Sequence, residues 1–171
     1  MATKTATGTA ATTAAANKTA KVKPIPTGYH AITPYLIIDG AARAIEFYQR
    51  AFDAKEMLRI PAPNDRIGHA EIKVGDSVVM LADEHPEMEA YAPGHFNGSP
   101  VSLLLYVTDV DKQFQQALAA GATEVRPVAD QFYGDRSGSL KDPFGHTWHL
   151  STHKEDVSME EMARRMAAMK Q

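Results

Sequence analysis

Two histidines and one glutamate are the side chains of this sequence best suited to acid-base chemistry or metal binding. His69 and Glu71 stand two residues apart in the strand-like run His69–Val74, so both side chains project from the same side of an extended chain. His149 lies in a second strand-like run, His146–Ser151. Imidazole nitrogens and a carboxylate oxygen can hold a divalent metal or move a proton, and they can equally form an ordinary polar network across strands.

The composition of the chain excludes several classes of protein. Its 171 residues include no cysteine, which rules out disulfides, thiolate nucleophiles and cysteine-ligated zinc. The net charge of −3 leaves no basic field for nucleic acid, and no apolar run approaches the ~20 residues of a membrane helix. Neither a phosphate-binding glycine loop nor a nucleophile elbow is present. We therefore expect a small-molecule ligand, with no nucleic acid and no membrane as partners.

Residues 1–28 differ in composition from the rest of the chain. They are rich in Ala, Thr and Lys, contain no acidic residue and have almost no bulky apolar side chain. Such a segment cannot bury enough surface to offset the entropy lost on ordering, so we predict a disordered tail. The continuous apolar stretch of a secretory signal is missing, which makes the cytoplasm the expected location. The hydroxyl-rich, acid-free character also fits an organelle transit peptide, although arginine is lacking.

The same order of predicted elements occurs twice along the chain. A strand-like run, Tyr29–Ile38, precedes an amphipathic helix at Ala41–Phe52, a further short strand and a hairpin that turns at Gly75-Asp76. Val101–Val107 opens the second series, whose last two strands are joined by a turn at residues 142–145. We predict an α+β fold in which two βαβββ modules form a curved mixed sheet around a cleft, and such clefts bind small molecules.

This repeat divides the chain into five segments. They are a tail at 1–28, a first module at 29–84, a connector at 85–100, a second module at 101–153 and a C-terminal helix at 154–171. The connector shows no periodicity, and connectors of this length often cover a site. In the C-terminal helix, a capping box at Ser158–Glu161 precedes a stripe of methionines. We expect this stripe to pack against the body of the chain, with a dimer contact as the alternative.

Motifs at both ends and in the middle of the two modules carry a family resemblance. Ile32–Leu36 looks like an opening strand of the family, and Lys141–Trp148 looks like its closing D-P-x-G hairpin. Gly68–Ile72 together with Met80–Glu84 is similar to the PhnB-like branch. From Tyr29 to His153 the chain therefore resembles the vicinal-oxygen-chelate superfamily, which includes glyoxalase I, dioxygenases and bleomycin-resistance proteins. The resemblance implies the glyoxalase/bleomycin-resistance fold.

The resemblance also implies where a metal would lie. Enzymes of the superfamily hold a divalent metal between paired modules, and their ligand positions fall here on Thr33, Met80, Ser102 and His149. His149 alone is a good ligand, whereas such sites need several imidazole nitrogens or carboxylate oxygens. We therefore expect no metal and no other cofactor. The alternative is a divalent metal held by a rearranged set, His69, Glu71 and His149.

Strand alternation and the resemblance together predict the side chains that line the cleft. The predicted ligand-binding residues are Tyr35, His69, Glu71, Met80, Tyr106, Arg136 and His149. Across the turn at Gly75-Asp76, alternation places Glu71 opposite Met80. In the second hairpin, the same alternation places Arg136, Gly138 and Leu140 on the same face as His149. The planar guanidinium of Arg136 can clamp an anion, or it can form a surface salt bridge with Asp135 or Asp142.

Two functions remain open from the sequence. The first is a binding or resistance protein that holds a small, partly aromatic or anionic molecule in the cleft between modules without breaking a bond. The alternative is a divalent-metal-dependent lyase or dioxygenase of the same superfamily, in which the metal polarises a carbonyl and Glu71 moves the proton as catalytic residue. The number of good ligands favours the first. The resemblance further implies a homodimer, with modules paired within a chain or between chains.

Overall fold

The computed structural model of the protein describes residues 22–169. Most of the predicted disordered tail, residues 1–21, lies outside the described residues. Residues 22–28 form no helix or strand, and their side chains are exposed. No helix within 22–169 is long and apolar enough to cross a membrane.

Two modules with the same order of elements make up the fold. The first comprises β1 (Tyr35–Ile38), α1 (Ala41–Phe52), β2 (Lys55–Ala62), β3 (Arg66–Val74) and β4 (Ser77–Asp83). The second comprises β5 (Ser102–Tyr106), α2 (Val110–Ala120), β6 (Thr123–Asp130), β7 (Asp135–Lys141) and β8 (Thr147–His153). Two short 3₁₀ helices lie between them, at Pro86–Met88 and Pro93–Phe96, and α3 (Met159–Ala168) follows. The predicted α+β fold with two βαβββ modules is confirmed.

Each module forms its own four-stranded sheet. The strand orders are β1-β4-β3-β2 and β5-β8-β7-β6, so the sheets share one topology. In each sheet the first and last strands of the module are parallel and the other pairs are antiparallel. The predicted mixed sheet is thus realised as two separate sheets that do not close on each other.

The first strand is shorter than the sequence predicts. β1 begins at Tyr35 instead of Tyr29. Pro34 has no N–H to donate to a neighbouring strand, although its carbonyl accepts a hydrogen bond of 2.9 Å from the Met80 amide. Residues 29–34 therefore form a separate segment in front of the sheet.

A buried carboxylate from β4 supports the start of α1. Gly40 precedes the helix with a φ of 94° and has no side chain to cap it. Asp83 instead accepts hydrogen bonds of 2.9 Å from the amides of both Gly40 and Ala41. Its second oxygen accepts a bond of 2.7 Å from the Ile67 amide of β3. A carboxylate at a helix N-terminus satisfies free N–H groups and interacts favourably with the helix dipole.

One hydrophobic core is shared by both modules. The apolar faces of α1 and α2 lie within it, and so do the inward residues of both sheets. Trp148 of β8 packs on Phe52 of α1, with ring centroids 4.7 Å apart, and also contacts Tyr48. Because both sheets direct one face to this common core, the other face of each sheet is left open.

The two modules are also joined by the buried carboxylate of Asp142, in the turn between β7 and β8. One oxygen accepts 2.9 Å hydrogen bonds from the amides of Phe144 and His146 and so shapes the turn. The other accepts from the Tyr48 hydroxyl at 2.7 Å and from Trp148 Nε1 at 3.0 Å. Burial raises the pKa of Tyr48, and the charge of Asp142 raises it further, so the phenol stays protonated and donates.

The C-terminal helix does not pack as the sequence predicts. Its cap is as expected, because the Ser158 hydroxyl accepts from the Glu161 amide at 3.2 Å. No residue of α3 is buried, however, and Met159 and Met169 are 79% and 72% exposed. The prediction that the methionine stripe packs against the body of the chain is wrong. Arg165 bonds to Glu161 within the helix and to Glu155 just before it, so these polar contacts stay within the C-terminal segment.

Replacing Asp142 with alanine should lower the free energy of unfolding by about 3–5 kcal/mol, because the buried Tyr48 and Trp148 donors would lose their acceptor. Urea unfolding followed by the fluorescence of the single tryptophan measures this change. Asp39→Ala, at an exposed position, is the matched control and should stay within about 0.5 kcal/mol of wild type. A loss of less than about 1 kcal/mol in Asp142→Ala would contradict the assigned role.

Candidate functional site

Apart from Arg136, the predicted site residues lie on the faces of the two sheets that point away from the core. The first open face is the side of the β1-β4-β3-β2 sheet that carries Glu71, and the second open face is the side of the β5-β8-β7-β6 sheet that carries His149. On the first open face, Tyr35 stands beside Met80, and Met80 stands beside Glu71 in the strand register. This confirms the parity predicted for the first hairpin. On the second open face, Leu104 stands beside His149, and His149 stands beside Ser139. Tyr106 shares this second face, one pair further along β5.

A hydrogen-bonded chain of side chains crosses the first open face. The Tyr35 hydroxyl lies 3.0 Å from His69 Nδ1, and His69 Nε2 lies 3.3 Å from Glu71 Oε1. A carboxylate can only accept, so His69 donates to Glu71 through Nε2–H, and in that neutral tautomer Nδ1 accepts from the Tyr35 hydroxyl. Burial raises the pKa of Tyr35. Glu71 is only 8% exposed, and its second oxygen accepts from the hydroxyl of Tyr29, in the segment before β1.

On the second open face, His149 is held between two serines. Its Nδ1 lies 2.7 Å from the Ser139 hydroxyl and its Nε2 lies 3.0 Å from the Ser102 hydroxyl. Partial burial lowers the pKa of His149, and the positive charge of Arg126 lowers it further. The imidazole is therefore neutral at neutral pH, with one nitrogen donating and one accepting.

A cavity of about 550 Å³ surrounds His149 and is lined by the second module alone. Its walls include Leu104, Tyr106, Arg126, Tyr133, Ser139 and His149. A basic group, a neutral imidazole and hydroxyls thus share one concave surface with aromatic and apolar walls. That combination can orient an anionic molecule with an apolar body.

The structure corrects the predicted position of Arg136. Lys141 pairs with Thr147, so an odd number of residues forms the turn, and Ser139 rather than Leu140 lies beside His149. The predicted parity of this hairpin is therefore wrong by one residue; Gly138 and Leu140 face the core. Arg136 stands beside Thr152, away from the cavity. Its guanidinium forms two bonds of 2.7 Å with Asp111 of α2 and one of 3.1 Å with Asp130, so it is a salt-bridge residue.

Arg126 occupies the basic position that the sequence assigned to Arg136. It stands beside Ser139 in the register and lines the cavity. The signal in the sequence was weak, because β6 is irregular on both sides of Arg126 and simple alternation therefore fails there. Ser139, Ser102 and Tyr133 were likewise not among the predicted ligand-binding residues.

A buried carboxylate closes one end of the cavity. Asp135 accepts hydrogen bonds from Tyr106 at 3.0 Å and Ser151 at 2.9 Å, and its other oxygen lies 2.7 Å from His153 Nδ1. Burial acts to raise the pKa of Asp135, but the bonds from these three side chains lower it overall. The bond to Asp135, followed by one to Asp156, raises the pKa of His153.

The ligand set that the superfamily implies for a metal does not fit the residues present. Among residues 22–169, no group of three His, Cys, Asp or Glu side chains could hold a metal ion. His69 and Glu71 lie on one sheet and His149 on the other, so a single chain does not bring the rearranged set together. Of the four implied positions only His149 offers a good ligand, and both of its nitrogens are hydrogen-bonded to serines.

The connector lies beside the helices. Residues 92–95 line a cavity of about 850 Å³ together with Arg43 and Phe47 of α1 and with Pro143 of the turn after β7. Glu84 fixes its path by accepting a bond of 2.7 Å from the Ala92 amide. That the connector covers the candidate site therefore stays a prediction.

Comparison with known proteins identifies the family. Residues 28–150 match the model of the Glyoxalase/Bleomycin resistance protein/Dioxygenase superfamily, and the chain belongs to it. An uncharacterized protein of Mycobacterium tuberculosis is 44% identical over 141 residues, which cover 81% of this chain and 83% of that protein. An uncharacterized protein of Mycobacterium bovis is also 44% identical, over 93% of its length.

Solved structures share the fold. TioX from Micromonospora is 31% identical, with a TM-score of 0.59 over 71% of this chain and 97% of that chain. Protein PA1353 from Pseudomonas aeruginosa is 28% identical, with a TM-score of 0.58 over 72% of this chain and 98% of that chain. A PhnB protein from Bacillus cereus, at 20% identity and a TM-score of 0.56, covers 72% of this chain and 99% of its own, and it supports the fold alone.

The pH dependence of stability should report the Asp135–His153 pair. Because folding raises the pKa of His153, the pair stabilises fully below the pKa of unfolded histidine and loses this contribution as pH rises through the folded value. The lowered pKa of Asp135 keeps its carboxylate charged toward acid pH. The difference in unfolding free energy between wild type and His153→Gln should therefore be largest below the ordinary histidine pKa of about 6.5 and shrink as the pH rises above it.

Chemical denaturation at pH values below and above this pKa measures the difference. In an Asp135→Asn background, the same His153→Gln substitution should give a much flatter profile, because the main partner of the imidazolium is gone. A difference that does not change with pH in the wild-type background would contradict the assignment.

Proposed function

We propose that this protein binds a small, partly aromatic anion at its second open face and breaks no bond in it. The observation that supports this most strongly is the cavity of about 550 Å³, in which a neutral His149 and the guanidinium of Arg126 lie among aromatic and apolar walls. Ligand pockets of about 300–1,000 Å³ usually combine such walls with a few polar groups. The superfamily includes resistance proteins as well as enzymes, and we propose a binding function, like that of the resistance proteins, for this chain.

Each group in the cavity has a distinct role in the proposal. Arg126 presents a planar fork that can donate two parallel hydrogen bonds to a carboxylate. His149, fixed between Ser139 and Ser102, orients a polar group of the ligand. Leu104 and Tyr106, which are 55% and 58% exposed, offer contact area to an aromatic ring. We propose that no divalent metal takes part, because the donor set is too poor for one.

We further propose that a second copy of the chain completes the site. Both open faces carry large exposed apolar side chains: Tyr35 49%, Leu58 41%, Ile60 49%, Leu104 55% and Tyr106 58%. Monomeric proteins rarely leave such patches uncovered. Glu71 on the first open face and Arg126 on the second carry opposite charges, although the first face also presents the exposed Lys73. The first sheet of one copy would then lie against the second sheet of the other, and the ligand would bind in the cleft between modules of different chains.

An aromatic carboxylate is a direct probe of the proposed binding function. Arg126→Gln should weaken the binding of 2-naphthoate about tenfold or more, because a charge-assisted hydrogen bond is lost. Binding of the uncharged 2-naphthamide should change little. Fluorescence titration measures both affinities.

Arg136→Gln is the matched control. Its guanidinium is engaged by Asp111 and Asp130, so the affinity for 2-naphthoate should equal that of wild type. If Arg136→Gln weakens 2-naphthoate and Arg126→Gln does not, the anion site has been assigned to the wrong face of the second sheet.

Light scattering at micromolar concentration should give the mass of two 18.6 kDa chains. Leu104→Glu places a charge within the proposed interface and should give a single-chain mass, whereas Met159→Glu on α3 should remain a dimer. A single-chain mass for the wild type would refute the second copy. Dissociation by Met159→Glu but not by Leu104→Glu would move the contact to the methionine stripe.

A further inference from the structure

We infer that the Tyr29 hydroxyl competes with a ligand for the Glu71 carboxylate. The group of the ligand that replaces it is a hydroxyl on an aromatic ring. This inference rests on the proposed function, because it adds a second contact to a site that both open faces build. It assigns the first open face a role in recognition that is separate from the anion contact of Arg126.

Between residues 22 and 32, Tyr29 is the one side chain that is anchored to the sheet. From residue 22 to residue 32 every other side chain is exposed, including Ile32 at 87% and Val22 at 89%. Tyr29 alone is partly buried, and its hydroxyl donates to Glu71 Oε2. The backbone reaches this point through a turn in which the Tyr29 amide donates to the Pro26 carbonyl at 3.2 Å. Residues 22–32 are thus attached to the open face chiefly through one phenol, whereas the Pro34–Met80 backbone bond anchors the end of the segment next to β1.

Glu71 needs such a donor because it is buried. A carboxylate that is 8% exposed is costly unless hydrogen bonds replace its lost water. His69 donates a long hydrogen bond of 3.3 Å to Oε1, and Tyr29 donates one to Oε2. When Tyr29 leaves, Oε2 becomes an open acceptor on a surface that also carries Tyr35 and Met80. A phenolic ligand supplies the same donor chemistry as Tyr29, with an apolar ring for the same wall.

The remaining contacts of the segment are weak enough to allow exchange. His30 and Asp76 are 3.6 Å apart, but their side chains are 56% and 87% exposed, and exposed ion pairs contribute little. The Thr33 hydroxyl donates only to the His30 carbonyl within the segment itself, at 3.2 Å. A bound internal phenol reduces the fraction of protein that is ready for ligand, and this reduces the apparent affinity by the same factor.

Removing one oxygen atom tests the inference. Tyr29→Phe keeps the ring and deletes the donor, so 2-naphthol should bind at least about fivefold more tightly than to wild type. The methyl ether, 2-methoxynaphthalene, cannot donate to Glu71 and should bind both proteins equally. Tyr91→Phe, whose hydroxyl makes only a 3.4 Å contact to the Pro86 carbonyl in the connector, is the control and should behave as wild type. Fluorescence titration of the full chain gives all the constants.

Equal affinity of wild type and Tyr29→Phe for 2-naphthol, including no binding to either, overturns the inference. An equal gain for 2-methoxynaphthalene also overturns it, because the substitution would then merely open an apolar surface. Titration with 2-naphthoate separates this result from a failure of the proposed function. If 2-naphthoate binds and its binding depends on Arg126, but Tyr29→Phe does not change the affinity for 2-naphthol, the inference alone fails. If wild type does not bind 2-naphthoate but Tyr29→Phe gains affinity for 2-naphthol, the proposed anion site fails and the inference stands.

Discussion

The hydrogen bonds of Asp142 determine how the two modules meet. This one carboxylate shapes the turn between β7 and β8 and accepts from Tyr48 of the first module and Trp148 of the second. A buried carboxylate must be satisfied from several directions, so the helix, the turn and the strand can meet in few other ways. Because the helices and the inward sheet faces fill the common core, the candidate site residues of both sheets face away from it. The separation of the candidate site into two faces follows from this arrangement.

Sequence patterns predicted the elements better than the geometry of the site. The two-residue turn at Gly75-Asp76 joins paired Val74 and Ser77, and simple alternation from this short turn correctly placed Glu71 beside Met80. The second hairpin turns through a longer loop held by Asp142, and its register could not be counted without those hydrogen bonds. Because of this register error, the sequence wrongly assigned Arg136 to the binding cleft. It also missed Arg126, which follows an irregularity in β6. The methionine spacing in α3 showed one apolar stripe but could not show what the stripe contacts.

The two open faces differ in chemistry although they come from the same module plan. On the first, tyrosines and His69 surround the buried Glu71, so that face accepts hydrogen-bond donors. On the second, Arg126 and a neutral His149 lie in a cavity, so that face suits an anion. Module duplication thus provides two dissimilar half-sites, and a second copy of the chain would bring unlike halves together. A ligand with a donor at one end and a negative charge at the other would contact both.

The most direct test of this account is the distance between the first open face of one copy and the second open face of another. The natural chain has no cysteine, so spin labels can be attached at a single introduced site, Ile60→Cys in one preparation and Ala129→Cys in the other. After the two are mixed, pulsed dipolar spectroscopy reports only distances between copies. The account predicts a narrow distribution of short distances between the two labels. A broad distribution, or no dipolar signal between the labels, would contradict it.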